Sequence, residues 1–384
     1  MAAEKLYYEN VMAREFEGVV TQCRPGKKGY EVALDRTLFY PEGGGQPYDT
    51  GILGDARVLE VHEKDGEVWH TTDQPLEEGS RVRGVIDWDR RFDLMQQHSG
   101  EHLVSGVIHG HYGYDNVGFH MGADVITIDL NGMLTAEELS EIEQEVNGII
   151  WSDRKTQILY PTEAELNALD YRSKKELKGW VRLVKFPGAD LCACCGLHVE
   201  STGQIGLVKL LSVQKFREGV RIEMISGGRA LDYLSEIARQ NHQISVQLSA
   251  KPKETARAVQ RLADENFHLK GRVMRMEEQA FSQKARECEG VGDVLLFESD
   301  LEADSVRRLA VAVMETCQGR CAVFSGDDSE GYKYAIGEKD GNLREFVKEM
   351  NQALQGRGGG KPFFVQGSVK ASESEIRTYF QEKE

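Results

Sequence analysis

The sequence has no uninterrupted apolar run close to the roughly 18 residues that a membrane-spanning helix needs. Its first residues, MAAEKLYYENVM, lack the basic start and apolar stretch of a secretory signal. The 7 cysteines are an odd number, and three of them lie within residues 192–195, which does not fit a framework of paired disulfides. These absences exclude a membrane protein and a disulfide-rich secreted domain. We therefore expect a cytoplasmic protein with reduced thiols.

A surplus of basic residues is also absent, because the formal net charge of the 384 residues is −16. Taken alone, this charge argues against a nucleic-acid partner, since phosphate binding uses clustered lysine and arginine. One segment is an exception: residues 239–275 contain eight Lys or Arg and three acidic residues. Both a solvated helix face and a local nucleic-acid contact fit this segment.

The hydrophobic pattern predicts an α+β protein with four parts. Residues 1–90 consist of short, partly alternating runs such as ARVLEVHEKDGEVWHTT, which predict a small antiparallel β-barrel. Residues 91–228 mix helical and alternating segments and predict an α+β domain. Residues 229–288 have helical periodicity throughout, and residues 289–384 alternate between strands and helices, which predicts a small C-terminal α/β domain.

The periodic segment at residues 229–288 predicts an antiparallel helical hairpin of coiled-coil type. Its apolar residues recur three and four apart, and Pro252 interrupts them near the middle. Folding back at Pro252 would make Asn241 face Asn266, so that a hydrogen bond between two buried amides sets the register. The alternative is a seam shared by two chains of a homodimer, formed through the helical or the C-terminal region.

Two His- and Cys-containing motifs with the same spacing suggest a metal centre. His98 and His102 in "QHSGEH" share one face of a predicted helix, and Cys194 and His198 in "CACCGLH" are also four residues apart. Thiolate sulfur and imidazole nitrogen suit tetrahedral Zn²⁺. Four protein ligands are typical of a structural zinc, whereas a hydrolytic zinc keeps a position for water, and both interpretations remain open. Cys192 and Cys195 are interpreted as ordinary thiols.

The same stretch also fits the HxxEH pattern of inverted zinc peptidases, in which the glutamate is the general base. In that interpretation Glu101 would activate a metal-bound water. We favour it less, because such peptidases use a carboxylate as third ligand and do not need the second motif. The direction of the Glu101 side chain stays open.

Two glycine clusters are less specific. In "QGRGGGKP" the residues Gln355 and Pro362 stand where a P-loop needs glycine and Ser/Thr, which excludes ATP binding of that type. The cluster "FYPEGGGQPYDTG" fits a plain turn between strands, and it equally fits a close approach of the backbone to a substrate.

Over essentially its whole length the chain resembles the alanyl-tRNA editing proteins of the AlaX type in their long form. These are free-standing relatives of the editing half of alanyl-tRNA synthetase. Five ordered motifs carry the resemblance: YPEGGGQPYDTG, His98-x-x-x-His102, VGFHMG followed by ITIDL, Cys194-x-x-x-His198 followed by STGQIGLVKL, and GRGGGKPFFVQG. The last motif is similar to the glycine-rich end of the DHH-associated domain.

The resemblance implies a zinc-dependent hydrolase that removes wrongly attached serine, and also glycine, from tRNA(Ala) in trans. One zinc per chain would be held by His98, His102, Cys194 and His198, with Glu101 as a candidate proton acceptor. A non-catalytic, zinc-stabilised RNA-binding protein is the alternative. The substrate contacts expected near the acceptor end are Gly43, Gly44, Gly45, Gln46, Ser99, Phe119 and His120. The contacts expected with the tRNA body are Lys251, Lys253, Arg257, Arg261, Lys270, Arg272, Arg357 and Lys361.

Overall fold

The computed structural model describes residues 3–173 and 181–383. Its internal contacts divide the chain into two compact units, Met1–His242 and Gln243–Glu384. Helices and strands are both abundant, which confirms the mixed α+β class predicted from the sequence. None of the helices in the described residues combines the length and the apolar character needed to cross a membrane.

The first unit is built mainly from antiparallel strands. Its strands are β1 (Glu4–Lys5), β2 (Glu15–Gly26), β3 (Gly29–Leu34), β4 (Arg36–Thr37), β5 (Gly51–Leu53), β6 (Ala56–Lys64), β7 (Glu67–Thr72), β8 (Arg81–Ile86), β9 (Asn116–Met121), β10 (Ile126–Leu130), β11 (Gln157–Leu159), β12 (Leu183–Phe186), β13 (Asp190–Ala193), β14 (Val208–Phe216) and β15 (Gly219–Ser226). Its helices are α1 (Leu6–Glu9), α2 (Trp88–Tyr112), α3 (Ala136–Trp151), α4 (Glu163–Leu166) and a 3-10 helix, Thr202–Ile205. Helix α5 (Gly227–Gln247) runs across the boundary between the units.

Six strands of the region predicted as a small barrel pair in a closed ring, in the order β2–β3–β7–β6–β5–β8, with β8 returning to β2. Side chains of β8 alternate strictly between exposed and buried, as expected of a strand with one face in a core. The ring encloses its own apolar core, which includes Phe16, Val32 and Leu53. This core is separate from the one that carries the candidate metal ligands.

The second core of this unit lies between helices and a sheet. Helices α2 and α3 pack against the four-stranded sheet β14–β15–β10–β9, and the three-stranded sheet β11–β12–β13 borders α2. Tyr7 of α1 and Tyr40, which follows β4, are buried in this core and not in the ring. The N-terminal helix therefore packs with α2, although it precedes the ring in the chain.

A buried ion pair ties the ring to α2. The Arg91 Nε atom lies 2.9 Å and 3.0 Å from the two carboxylate oxygens of Asp49, and both side chains are fully buried. The Arg91 guanidinium also donates to the Leu38 carbonyl oxygen at 2.6 Å, and the Tyr40 N–H donates to Asp49 at 2.6 Å. The pair is thus completely desolvated and hydrogen-bonded, which is the condition under which a buried charge is tolerated.

The second unit contains one mixed sheet and helices on it. Its helices are α6 (Thr255–Glu287), α7 (Ala303–Met314), α8 (Arg344–Ala353) and α9 (Glu373–Gln381), and its strands are β16 (Gly292–Glu298), β17 (Gln318–Asp327), β18 (Gly331–Glu338), β19 (Arg357–Lys361) and β20 (Phe364–Val369). The order in the sheet is β16–β17–β18–β20–β19; β16 and β17 are parallel and the other pairs are antiparallel.

Helices α5 and α6 lie where the periodicity predicts them, with Pro252 in the segment between them. Leu262 and Leu269, two of the apolar residues whose three- and four-residue spacing predicts the seam, are 53% and 58% exposed. The predicted partners Asn241 and Asn266 belong to different units, so their pairing stays a prediction, as does homodimer formation.

His70, in β7, generates a prediction about pH. Its side chain is completely buried in the ring, where Nδ1 lies 3.0 Å from the Val32 carbonyl oxygen and Nε2 lies 2.8 Å from the Thr37 hydroxyl. Burial lowers the pKa of His70 from 6.5 to about 4. A depressed folded-state pKa stabilises the protein above pH 6.5, and this contribution, about 3 kcal/mol, is lost as the pH falls towards 4.

We expect the denaturant concentration at which the ring unfolds to fall as the pH is lowered from 6.5 to 4. Hydrogen exchange of peptides from the ring measures this midpoint. In His70→Asn, whose side chain does not titrate, the fall should be smaller by about that amount. A variant of the exposed His242, also changed to Asn, is the control and should keep the parental profile. Equal losses in the parent and in His70→Asn would show that another group is responsible.

Candidate metal centre

Helix α2 carries two of the candidate ligands. It begins after Asp87, whose carboxylate accepts a hydrogen bond from the Arg90 N–H at 3.3 Å, and it ends at Gly113, which has a left-handed φ of 68°. His98 and His102 are one turn apart within this helix and both are buried. Their imidazole rings lie side by side, with centroids 5.3 Å apart.

The other two candidate ligands lie in residues 194–198, which we call the cysteine loop. The loop follows directly after β13, so the strand fixes its starting point. Gly196 is required in it, because a side-chain carbon at that position would overlap the His98 ring. The Gly196 N–H donates to the Cys194 sulfur at 3.3 Å, which restrains the position of that sulfur.

The four ligand atoms form one cluster. One ligand atom from each of His98, His102, Cys194 and His198 lies within 4.8 Å of all the others. The Cys194 sulfur is 3.5 Å from the His98 Nε2, and the His198 ring centroid is 4.5 Å from that of His98 and 4.6 Å from that of His102. One sulfur and three nitrogens are a donor set suited to Zn²⁺.

Each histidine has a hydrogen-bond acceptor at its other ring nitrogen. The Nδ1 atoms of His98, His102 and His198 face the side-chain oxygens of Gln46 (3.1 Å), Asp190 (2.8 Å) and Ser99 (3.4 Å), respectively. With the proton on Nδ1, every Nε2 is left as a metal ligand, an arrangement typical of metal-binding histidines.

The Nε2 atom of His198 indicates whether these residues fit a metal. The His198 Nε2 atom is buried and has no hydrogen-bond partner in the described part of the chain. A buried nitrogen without a partner is costly unless something else satisfies it. A metal ion in the cluster would do so, and the residues therefore fit one.

The electrostatics of the cluster favour two of the protonation states that a metal needs. Burial alone would raise the pKa of Cys194, but the neighbouring histidines outweigh it and hold this pKa well below its usual value. Burial and the neighbouring His98 and His102 lower the pKa of His198. Burial would also lower the pKa of His102, but the Asp190 carboxylate and the Cys194 sulfur raise it overall. Metal binding would therefore displace a proton from His102.

Asp190 and Arg172 orient the His102 ring through its Nδ1 atom. Arg172 donates to both oxygens of Asp190, at 2.8 Å and 2.9 Å, while Asp190 accepts from His102. Asp190 also lies near Cys192 in a second group with His102, but Arg172 and His102 occupy both of its oxygens. We therefore place Asp190 outside the ligand set.

Residues 43–46, which we call the glycine loop, lie against this centre. Gly44 and Gly45 have φ angles of 62° and 84°, and their main chain is exposed. A side-chain carbon on Gly45 would lie 2.7 Å from the Phe119 ring. Gln46 is fully buried; its side-chain oxygen accepts hydrogen bonds from His98 and, at 2.9 Å, from the Leu197 N–H. The loop therefore contacts both sources of ligands.

Phe119 and Ser99, which are also expected near the substrate, contact histidine ligands of the centre. Phe119, in β9, stacks on the His98 ring at 5.5 Å, while His120 is exposed. Ser99 is fully buried and its oxygen also accepts from the Val199 N–H at 3.2 Å. Glu101 is 2% exposed and accepts hydrogen bonds from the Ser105 hydroxyl at 2.7 Å and from the Asn116 amide.

Several residues that complete the site carry no sequence signal. Asp190 and Arg172 are ordinary charged residues in the sequence, and only the pairing of Arg172 with Cys192 beside β13 brings them together. Asn116 meets Glu101 through a tertiary contact, whereas Ser105 lies one turn after Glu101 in the same helix. Only the four-residue distance between Asp190 and Cys194 could have drawn attention to one of them.

The eight expected tRNA contacts all lie in the second unit and are all exposed. None of them forms an ion pair within the residues that the structure describes. Arg357 and Lys361 are the two ends of the exposed edge strand β19, whose three central residues are glycines. These cations are therefore available to an anionic partner.

Comparisons with known proteins agree across the chain. Three family models match: "Threonyl and Alanyl tRNA synthetase second additional domain" at residues 181–223, "tRNA synthetases class II (A)" at residues 2–90 and "DHHA1 domain" at residues 291–381. The chain is 30% identical to the alanyl-tRNA editing protein AlaX-L of Pyrococcus horikoshii, covering 97% of this chain and 96% of that protein.

Two further relatives align over a smaller share of their own length. An alanine–tRNA ligase of Natronomonas pharaonis is 33% identical over 95% of this chain and 42% of its own length. The alanyl-tRNA editing protein Aarsd1 of Mus musculus is 33% identical over 58% of each chain. The chain thus spans about two fifths of that ligase.

The hydrogen bond behind His198 generates a prediction about metal affinity. Ser99→Ala removes the oxygen that faces the His198 Nδ1, so we expect zinc to bind about tenfold more weakly, as is typical when such a supporting partner is lost. Competition with a chelating dye measures this. Ser105→Ala is the matched control: it removes another buried hydroxyl of α2, one that donates to Glu101 and touches no ligand. Equal affinities for Ser99→Ala and the parent would remove Ser99 from the support of the centre.

Proposed function

Because this chain belongs to the alanyl-tRNA editing proteins of the AlaX-L type, we propose that it is a hydrolase that removes wrongly attached amino acids from tRNA(Ala) in trans. The observation that carries the proposal is the buried Cys/His cluster, with an acceptor behind each histidine, directly beside an exposed glycine loop. We propose zinc as the metal, with one ion per chain held by His98, His102, Cys194 and His198.

The substrate would be an ester between an amino acid and the terminal ribose. When bound, zinc supplies a positive charge that polarises a carbonyl group and acidifies a nearby water. We assign binding of the aminoacyl end to residues 43–46, Phe119 and His120, because Gly44 and Gly45 expose their main chain beside the cysteine loop. We assign Ser99 to the support of His198, since its hydroxyl is buried.

The hydrolase has to leave correctly attached alanine on tRNA(Ala). We propose seryl-tRNA(Ala) as substrate, and glycyl-tRNA(Ala) as a second one. A site that hydrogen-bonds the seryl hydroxyl is left with an unpaired polar group when alanine binds, which discriminates strongly between the two. Glycine has no hydroxyl, so this hydrogen bond selects serine and not glycine.

Deacylation of seryl-, glycyl- and alanyl-tRNA(Ala) by the purified protein tests the function. We expect seryl-tRNA to be hydrolysed and alanyl-tRNA to survive, and a chelator or the Cys194→Ala substitution to abolish hydrolysis together with zinc content. Binding of tRNA without any hydrolysis of mischarged tRNA would instead support a non-catalytic, metal-stabilised RNA-binding protein. A zinc peptidase fits less well, because the carboxylate beside the cluster, Asp190, is held by Arg172.

Glu101 is the candidate base from the sequence, and its surroundings argue for a different role. The carboxylate is buried and already accepts hydrogen bonds from Ser105 and Asn116. We propose that it chiefly orders these two side chains. Gln at this position keeps an oxygen acceptor for both, so Glu101→Gln should lower the turnover number less than about tenfold, whereas loss of a general base costs about 100-fold or more. A 100-fold loss at unchanged zinc content would make Glu101 the base.

Binding of the tRNA body is assigned to the exposed cations of the second unit. These are Lys251, Lys253, Arg257, Arg261, Lys270, Arg272, Arg357 and Lys361, and their lack of ion pairs among the described residues supports the assignment. Contacts of this kind go to phosphates and are indifferent to the attached amino acid.

The salt dependence of tRNA binding tests this assignment. Arg257→Gln and Arg261→Gln should each weaken binding and reduce the slope of log affinity against log salt by about one. Arg239→Gln is the matched control, because Arg239 is exposed but paired with Glu236 at 2.7 Å. Slopes that match the parent in both test variants would place the tRNA contact elsewhere.

A further inference from the structure

The carbonyl groups at the start of the cysteine loop are bound by side chains from distant segments. The Tyr8 hydroxyl donates to the Cys195 oxygen at 2.8 Å. Arg182 donates through one nitrogen, Nη1, to the Cys194 oxygen at 2.7 Å and to the Gly196 oxygen at 3.0 Å. Carbonyl groups of a short loop have no strand or helix partner, so these side chains determine its conformation.

The donors are themselves held in place. Arg182 is buried, and its guanidinium lies over the Tyr8 ring at 5.1 Å. The Tyr8 ring packs edge-on against Tyr7 at 4.7 Å, and Tyr7 packs edge-on against Tyr40 at 5.4 Å. Helix α1, at the start of the described chain, thus contributes directly to the surroundings of the metal ligands.

Tyr40 connects the cysteine loop to the glycine loop. Its hydroxyl lies 3.0 Å from the Gly43 oxygen and 3.3 Å from the Cys195 oxygen, and both contacts depend on one proton. The two loops also touch through their main chains, since a side-chain carbon on Gly44 would lie 3.4 Å from the Gly196 nitrogen. A shift of one loop therefore changes the hydrogen bond to the other.

We propose that Tyr8, Tyr40 and Arg182 are positioning residues that hold the cysteine loop in the conformation that presents the Cys194 sulfur to the metal. The Cys195 carbonyl group and the Gly196 N–H belong to one planar peptide unit, so fixing this carbonyl group also fixes the N–H that donates to the Cys194 sulfur. Tyr40 in addition couples the loop to residues 43–46. This coupling rests on the proposed function, whereas the effect on the metal does not.

The effect on the metal is tested with the full-length, zinc-loaded protein and no tRNA. Tyr8→Phe and Tyr40→Phe each remove one hydroxyl and keep the ring, and we expect zinc to pass to a chelating dye about fivefold faster in each, the factor expected for one hydrogen bond. Tyr233→Phe, at an exposed tyrosine of α5, is the control and should release zinc at the parental rate. Parental rates in both test variants would overturn the proposal.

The double variant tests whether the two tyrosines act on one group. Both hydroxyls donate to the Cys195 oxygen, so the double variant removes both side-chain donors that this oxygen has among the described residues. The combined acceleration should therefore exceed the product of the single effects. A combined acceleration equal to the product of the single effects would show that the two tyrosines act independently, and it would overturn their action on one carbonyl group.

Kinetics with mischarged tRNA test the coupling. Tyr8→Phe should lower kcat and leave KM unchanged, whereas Tyr40→Phe, which also loosens the glycine loop, should raise KM as well. The same pattern in both variants would overturn the role of Tyr40 as a link. If the parental protein hydrolyses no mischarged tRNA, the proposed function fails, while the zinc-release comparison still decides the positioning role.

Discussion

The buried pair between Arg91 and Asp49 is the constraint on which the geometry of the site depends. Arg91 lies two helical turns before His98 in α2, and Asp49 lies three residues after Gln46, so the pair joins the helix of the ligands to the loop of their supporting residue. Removing one partner of such a pair leaves an uncompensated buried charge, at a cost of about 3–5 kcal/mol. The pair therefore restrains the segment that brings Gln46 to His98.

In the metal centre, too, side-chain contacts join segments that are far apart in the chain. Gln46 bonds both His98 and the Leu197 N–H, so one side chain aligns the helix with the cysteine loop. Asp190, held by Arg172, accepts a hydrogen bond from His102 and thereby aligns the helix with β13. Each histidine ligand is thus oriented by a residue outside its own segment, and the centre combines residues of α2, of the cysteine loop after β13 and of the glycine loop.

The parts of this site that could be predicted from the sequence are those determined by local geometry and residue chemistry. Helical spacing places His98 and His102 on one face, and thiolate with imidazole points to zinc, so the ligand cluster follows from two short motifs. The supporting contacts could not be predicted, because Asp190, Arg172 and Tyr8 become neighbours only through the tertiary fold. Glu101 shows the limit most clearly: helical spacing leaves its direction open, and although Ser105 lies one turn further along the same helix, the hydrogen bond from Asn116 depends on where β9 lies.

The distribution of charge explains how an acidic protein is suited to the proposed substrate. The net charge of −16 disfavours unspecific contact with phosphates, while exposed cations without ion pairs among the described residues are concentrated in the second unit. The candidate metal centre uses its charges differently, since Arg91, Arg172 and Arg182 are all engaged by buried oxygens. The arginines around the centre are therefore neutralised by hydrogen-bond acceptors within the fold. The exposed cations that could bind a polyanion lie in the second unit, which contributes no candidate metal ligand. Under the proposed function, this separation would let the site select the amino acid by short-range hydrogen bonds, while long-range charge would set the affinity for the tRNA body.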